Sequence, residues 1–95
     1  MTISPGQCRA GRALIDLDQA DLATRSTVAR DTIDDFEIGK GVPSANDLAA
    51  IRHALEDAGV EFIPENGGGA GVRLNKTSAP SDGMNPDDLN ASNDE

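Results

Sequence analysis

QADLATRSTVARDTIDDFEI, residues 19–38, decides how the rest of the chain is read. Leu22, Val28, Ile33 and Phe36 are the hydrophobic positions that fix the pair, and Ile33 with Phe36 has the i, i+3 spacing of one helical face. Ala23 is small where two helices must cross closely. The pattern predicts two short helices joined by a tight turn, a helix-turn-helix. A unit of this kind exposes the start of its second helix for insertion into a DNA major groove.

The turn departs from ideal chemistry at two points. Alanine at position 29 offers no side-chain acceptor to the N-terminus of the second helix, a loss of roughly 0.5 to 2 kcal/mol. Ser26 and Thr27 stand where a glycine is often needed for positive φ, and β-branched threonine adopts that conformation badly. A tight or strained turn is expected.

Upstream, Ser4-Pro5-Gly6-Gln7 announces an earlier helix: serine as N-cap, proline at the first helical position, and glutamine closing a capping box. It is expected to run to about Asp16. Ile3 and Cys8 have hydrophobic-staple spacing around that cap, which makes Cys8 a core residue before a reactive one. The spacing recurs at Leu17 and Leu22 around Asp18, and at Val28 and Ile33 around Ala29.

Downstream, Gly39-Lys40-Gly41-Val42-Pro43 reads as a loop, and Ser44 with Asp47 caps a further helix lined by Leu48, Ile51, Leu55 and Ala58, with Gly59 ending it. His53 lies off that stripe, without a second histidine or a cysteine nearby to share a metal. Val60-Glu61-Phe62-Ile63 and Gly71-Val72-Arg73-Leu74 change period and predict a β-hairpin around a glycine-rich loop. That loop is not a phosphate loop, because Asn75 stands where the glycine before Lys76-Thr77 is required; Leu74 likewise breaks a dinucleotide fingerprint. An isolated hairpin is only marginally stable. Val60, Phe62, Val72 and Leu74 are therefore expected either to cover the helical core or to form a homodimer contact through the strand edge.

The expectation is one mainly α domain over residues 1–74, with four to five helices and the hairpin at 60–74, followed by a disordered acidic tail at 75–95 that is nearly free of large apolar residues. One cysteine excludes an internal disulfide and a Cys-rich zinc site, and fits a reducing cytoplasm. No stretch approaches the roughly 18 apolar residues of a membrane helix, and no signal pattern opens the chain, so no membrane association is expected. Nor is an enzyme expected: no nucleophile is paired with a base and no ligand cluster suggests a metal or cofactor. The net charge of −9 opposes binding to a polyanion. Residues 1–74 hold seven basic residues against twelve acidic ones, net −5, and the tail holds one against five, net −4. Binding to DNA must then rest on a few well-placed cations.

Several stretches resemble the small Cro and phage-repressor type regulators of the XRE family: Gln7-Cys8-Arg9-Ala10-Gly11-Arg12-Ala13-Leu14, Asp18-Gln19-Ala20-Asp21-Leu22-Ala23, Thr32-Ile33-Asp34-Asp35-Phe36-Glu37-Ile38-Gly39-Lys40, and Val60-Glu61-Phe62-Ile63 with the loop after it. The resemblance covers about Ile3 to Leu74. It implies a lambda-repressor-like domain in a bacterial or phage transcriptional regulator that binds double-stranded DNA as a homodimer. It further implies that Arg30, Asp31, Thr32 and Asp35 read base edges, that Gln19 bonds a phosphate, and that Arg12 and Glu37 form a salt bridge beneath the DNA-facing surface from which Arg12 also reaches a phosphate. Arg30 suits guanine O6 and N7, whereas Asp31 and Asp35 can only accept and suit the cytosine amino group. Arg12, Arg25 and Lys40 are the expected phosphate-reaching cations, Lys40 helped by backbone amides around Gly39 and Gly41. Ile38 and Gly41 stand where relatives often carry a cation, and Asp34 adds acidity. The alternative is a repurposed module, anti-activator or antitoxin-like, whose acidic helix meets a basic protein partner.

Overall fold

A computed structural model describes residues 2–75. The chain runs through α1 (Pro5–Leu14), α2 (Gln19–Ser26), α3 (Arg30–Glu37), α4 (Ala45–Asp57), β1 (Val60–Ile63) and β2 (Gly71–Leu74). It is a mainly helical domain with one antiparallel hairpin. The expected tail lies outside the described residues except for Asn75, whose N–H donates to the Gly59 carbonyl at 2.8 Å beyond the end of the hairpin.

Local chemistry accounts for the helix ends. Ser4 and Gln7 form the full capping box of α1, Asp18 accepts from the Asp21 N–H, and Ser44 accepts from the Asp47 N–H. Ala29 makes no side-chain cap bond, as expected of alanine. α1 ends two residues before the expected Asp16, because Asp16 takes the left-handed conformation at φ 54°. The Leu17 N–H then turns back onto the Arg12 carbonyl at 2.9 Å, which closes a Schellman motif on an aspartate, a residue that tolerates this conformation better than most.

The turn between α2 and α3 carries the anticipated strain at Thr27, whose φ and ψ are 57° and 27°. A non-glycine residue there costs roughly 1 to 2 kcal/mol. Buried Ser26 offsets part of that cost: its hydroxyl donates to the Leu22 carbonyl at 2.7 Å and accepts the Val28 N–H at 3.3 Å. The turn's backbone is thus satisfied by a serine side chain in place of a glycine-permitted loop.

The core joins Ile3 and Cys8 of the first staple, Leu22, Val28, Ile33 and Phe36 of α2, the turn and α3, Ile51, Ala54 and Leu55 of α4, and Val60 and Phe62 of β1. Each large side chain so buried contributes roughly 1.5 to 3 kcal/mol. In α4, Ile51 and Leu55 are fully buried and Leu48 partly, while Ala54 is buried and Ala58 only half-buried. α1 lies against α3, α4 and both strands, and together with α4, which also meets β1, it joins the hairpin to the helices.

The hairpin pairs Val60 with Leu74, Glu61 with Arg73, Phe62 with Val72 and Ile63 with Gly71. Of the two roles open to it, covering the core is the one Val60, Phe62 and the partly buried Val72 perform within this chain. Leu74 overhangs the core and is 55% exposed. Two α1 residues make the docking fit. Gln7 donates its amide to the carbonyls of Ile63 and Gly71, at 3.3 and 3.0 Å, so one buried glutamine caps α1 and holds the loop end of the hairpin. At Gly11 a Cβ would stand 3.3 Å from Val60 Cγ1 and 3.8 Å from Phe62 Cζ, so its absence lets the hairpin approach.

Candidate nucleic-acid interface

α3 turns Ile33, Phe36 and Glu37 inward. At 3.6 residues per turn, the opposite face is centred between Asp31 and Asp35, with Arg30 and Asp34 on one flank and Thr32 on the other. Arg30, Asp31, Asp34 and Asp35 are exposed and Thr32 is half-buried.

Glu37 holds this helix to the body. It is 2% exposed, yet its carboxylate is fully engaged. Arg12 donates to both oxygens, from Nη2 at 2.6 Å and Nε at 2.7 Å, while Gln19 Nε2 and Cys8 Sγ donate at 3.0 Å each. Arg9 donates to the Glu37 carbonyl, and Arg12 Nη1 to the Leu17 carbonyl at 3.1 Å. Burial by itself raises the Glu37 pKa, but the bonds from Arg12, Cys8 and Gln19 and the Arg12 charge outweigh it, leaving the carboxyl below the usual glutamate range. Arg12 is raised, chiefly by its hydrogen bond to Glu37. Burial first, then the bond and charge of Glu37, push the Cys8 thiol well up, so Cys8 remains an un-ionised donor.

These bonds change what the sequence-predicted residues can offer. The Gln19 amide is engaged by Glu37 and by Asp34, the latter at 3.2 Å, so in this structure it clasps α2 to α3. Arg12 fills its structural role, three of its N–H groups being turned into the protein. The loop amides expected to help Lys40 are also spent: the N–H groups of Lys40 and Gly41 both donate to the Asp35 carbonyl, and that of Gly39 to Phe36. Gly39, at φ 78°, permits this ending of α3. Sequence reading missed Arg9 and the thiol donor role of Cys8. The i, i+4 spacing of Cys8 and Arg12 on one face of α1 was the available signal.

Sorting the cations by partner isolates three. Arg9 and Arg12 serve Glu37, Arg52 lies against His53 and Glu56, and Arg73 pairs with Glu61 across the hairpin. Arg25, Arg30 and Lys40 are exposed and, among the described residues, their side chains carry no hydrogen bond or ion pair. They sit at the end of α2, the start of α3 and the loop after α3. Beside that loop, Thr32, Asp35, Gly41, Val42 and Pro43 line a shallow depression, and Val42 is 88% exposed.

Val60 and Phe62, two of the four expected dimer residues, are sequestered in this chain's own core; Leu74 and part of Val72 remain at the surface. His53 is exposed. No group of three or more metal-ligating side chains occurs among the described residues, and no described helix is long and apolar enough to cross a membrane. No protein-family model and no curated protein sequence matches the chain.

Proposed function

We propose that this chain is a cytoplasmic, sequence-specific transcriptional regulator that inserts α3 into the major groove of double-stranded DNA and binds a two-fold symmetric site as a homodimer. In this reading α2, the Thr27 turn and α3 are a helix-turn-helix of the Cro and phage-repressor type. The observation that carries it is the placement of Arg25, Arg30 and Lys40 around α3 while the other described cations are engaged internally. Arg30, at the first position of α3, is the base-reading cation; Arg25 and Lys40 flank it as phosphate contacts. Leu74, the exposed part of Val72, and Leu14, which is 40% exposed one helical turn beyond Gly11, supply the dimer surface.

Four phosphate-contacting cations per dimer, Arg25 and Lys40 of each protomer, set a salt slope of about −4 in log K against log salt, shallower than that of a regulator with ten phosphate contacts. The test is selection of random duplex DNA by the purified chain at low and then moderate salt. The expected result is a palindrome with half-sites about one helical turn apart. Arg30→Ala is expected to relax preference at one base position per half-site, and a uniform loss over all sequences would remove its assignment.

One observation favours a second reading. The centre of the exposed α3 face is formed by Asp31 and Asp35, a surface suited to a basic protein in an anti-activator or antitoxin-like module. Failure to enrich any duplex at either salt would move the assignment there.

A further inference from the structure

We propose that Asn66, in the loop between β1 and β2, is a covalent modification site at which the chain converts its own side-chain amide to aspartate and isoaspartate. The reacting groups are the amide carbon of Asn66 and the backbone nitrogen of Gly67. Asparagine is thermolabile because the following backbone nitrogen, once deprotonated, closes a five-membered ring on that carbon. In a folded chain the reaction needs solvent at the site, a nitrogen not held by a hydrogen bond, and no bulk on the following residue.

The hairpin loop meets all three conditions. Asn66 and Gly67 are exposed, and neither takes part in a hydrogen bond among the described residues. Gly67 carries no side chain to obstruct ring closure, and at φ 84° it holds a conformation that favours glycine. Nothing lies within 4 Å of where its Cβ would stand. The other asparagines differ. Asn46 lies in α4, and the N–H that follows it, that of Asp47, donates to Ser44 Oγ at 3.1 Å. Asn75, Asn90 and Asn93 precede Lys76, Ala91 and Asp94, whose side chains crowd the nitrogen, and Asn85 precedes Pro86, which has no N–H to lose.

The step balances with water as the co-reactant. Hydroxide takes the Gly67 amide proton, the nitrogen bonds to Asn66 Cγ, and the Cγ–Nδ2 bond breaks. A proton from water leaves with the ammonia, which restores the hydroxide and leaves a succinimide. Water then opens the ring. Breaking the bond from the nitrogen to Cγ gives aspartate, whereas breaking its bond to the backbone carbonyl carbon gives isoaspartate, with the chain rerouted through Cγ and lengthened by one carbon. Either product adds one negative charge to the net of −9. Gln7 holds the carbonyls of Ile63 and Gly71 on either side of the loop, so the change is confined between them and the fold is kept.

The test incubates the full chain, in native buffer and in urea, from neutral to mildly alkaline pH, and follows it by intact mass, peptide mapping and isoaspartyl methyltransferase labelling. Mapping separates Asn66 from Asp82-Gly83, which can form isoaspartate without a change of mass. Asn66→Gln is the control, because its ring would have six members and closes slowly. The expected result is replacement of the amide NH2 by OH at Asn66 in the native chain, at most a few-fold slower than in urea and faster as pH rises. Asn46 is expected to convert only in urea, the Asn66→Gln chain to keep its mass in native buffer, and the converted wild type to keep its Tm. An Asn66 that stays intact in the native chain while it converts in urea overturns the proposal, as does native conversion that maps to another asparagine. A fall in Tm on conversion overturns its confinement to the loop.

Discussion

Replacing Glu37 by glutamine tests whether the α1–α2–α3 junction is held electrostatically. The carboxylate receives two N–H groups of Arg12, one of Gln19 and the Cys8 thiol, and is 2% exposed. An amide of the same size keeps one acceptor oxygen and places an NH2 group against donors, so no orientation satisfies all four. Breaking a buried ion pair by removing one partner costs roughly 3 to 5 kcal/mol. The Arg12 side chain retains 19% exposure and can regain some solvation, which places Glu37→Gln near the lower end, about 3 kcal/mol. A domain of this size has about 4 to 11 kcal/mol in total, and the loss corresponds to a fall of roughly 12 to 24 °C in Tm.

Thermal and urea unfolding followed by circular dichroism at neutral pH measure the loss. Replacing both partners by apolar residues, Arg12→Met with Glu37→Leu, is expected to recover most of it, because both desolvated charges are then gone. A cost below about 1 kcal/mol for Glu37→Gln would refute the electrostatic account. The pH dependence has a defined sign. Glu37 is held below its ordinary range, so its contribution is fully present above that range and is lost as pH falls through the folded-state value. Wild type is therefore expected to lose stability on the acid side more steeply than Glu37→Gln.

Ala29→Ser supplies the cap that α3 lacks and is expected to stabilise by about 1 kcal/mol, read as a rise of several degrees in Tm. Gly11→Val drives a branched side chain toward Val60, Leu55 and Phe62 and is expected to cost about 1 to 3 kcal/mol in urea unfolding. Cys8, fully buried and held as a thiol, is expected to react with an aromatic disulfide reagent only at the rate of unfolding; rapid native-state labelling would contradict its place in the core.

Local rules made much of this protein legible in its sequence. Ser4, Asp18 and Ser44 cap helices because a side-chain oxygen near a helix start has a backbone N–H within reach whatever lies elsewhere. The three staple pairs, the hairpin strands and the uncapped Ala29 were readable for the same reason: each depends on residues within five positions or on a two-residue period. Even the strain at Thr27 is local, a β-branched residue at a position that demands positive φ.

Tertiary structure decided which polar groups remain free. Gln19, Arg12 and the amides around Lys40 read as phosphate donors because residue type shows hydrogen-bonding capacity but not its partner. Glu37 comes within reach of Arg12 and Gln19, and Asp34 within reach of Gln19, only when α1 and α2 fold against α3, whereas the amides around Lys40 are spent locally on the ending of α3. The same holds for Val60 and Phe62, apolar side chains equally suited to a dimer or a core until Gly11 and Gln7 bring the hairpin onto α1. Sequence alone thus determined the elements and most of their ends, whose energetics are local. Packing determined which cations and carboxylates are left for a partner, because burial and pairing are properties of segments distant in the chain.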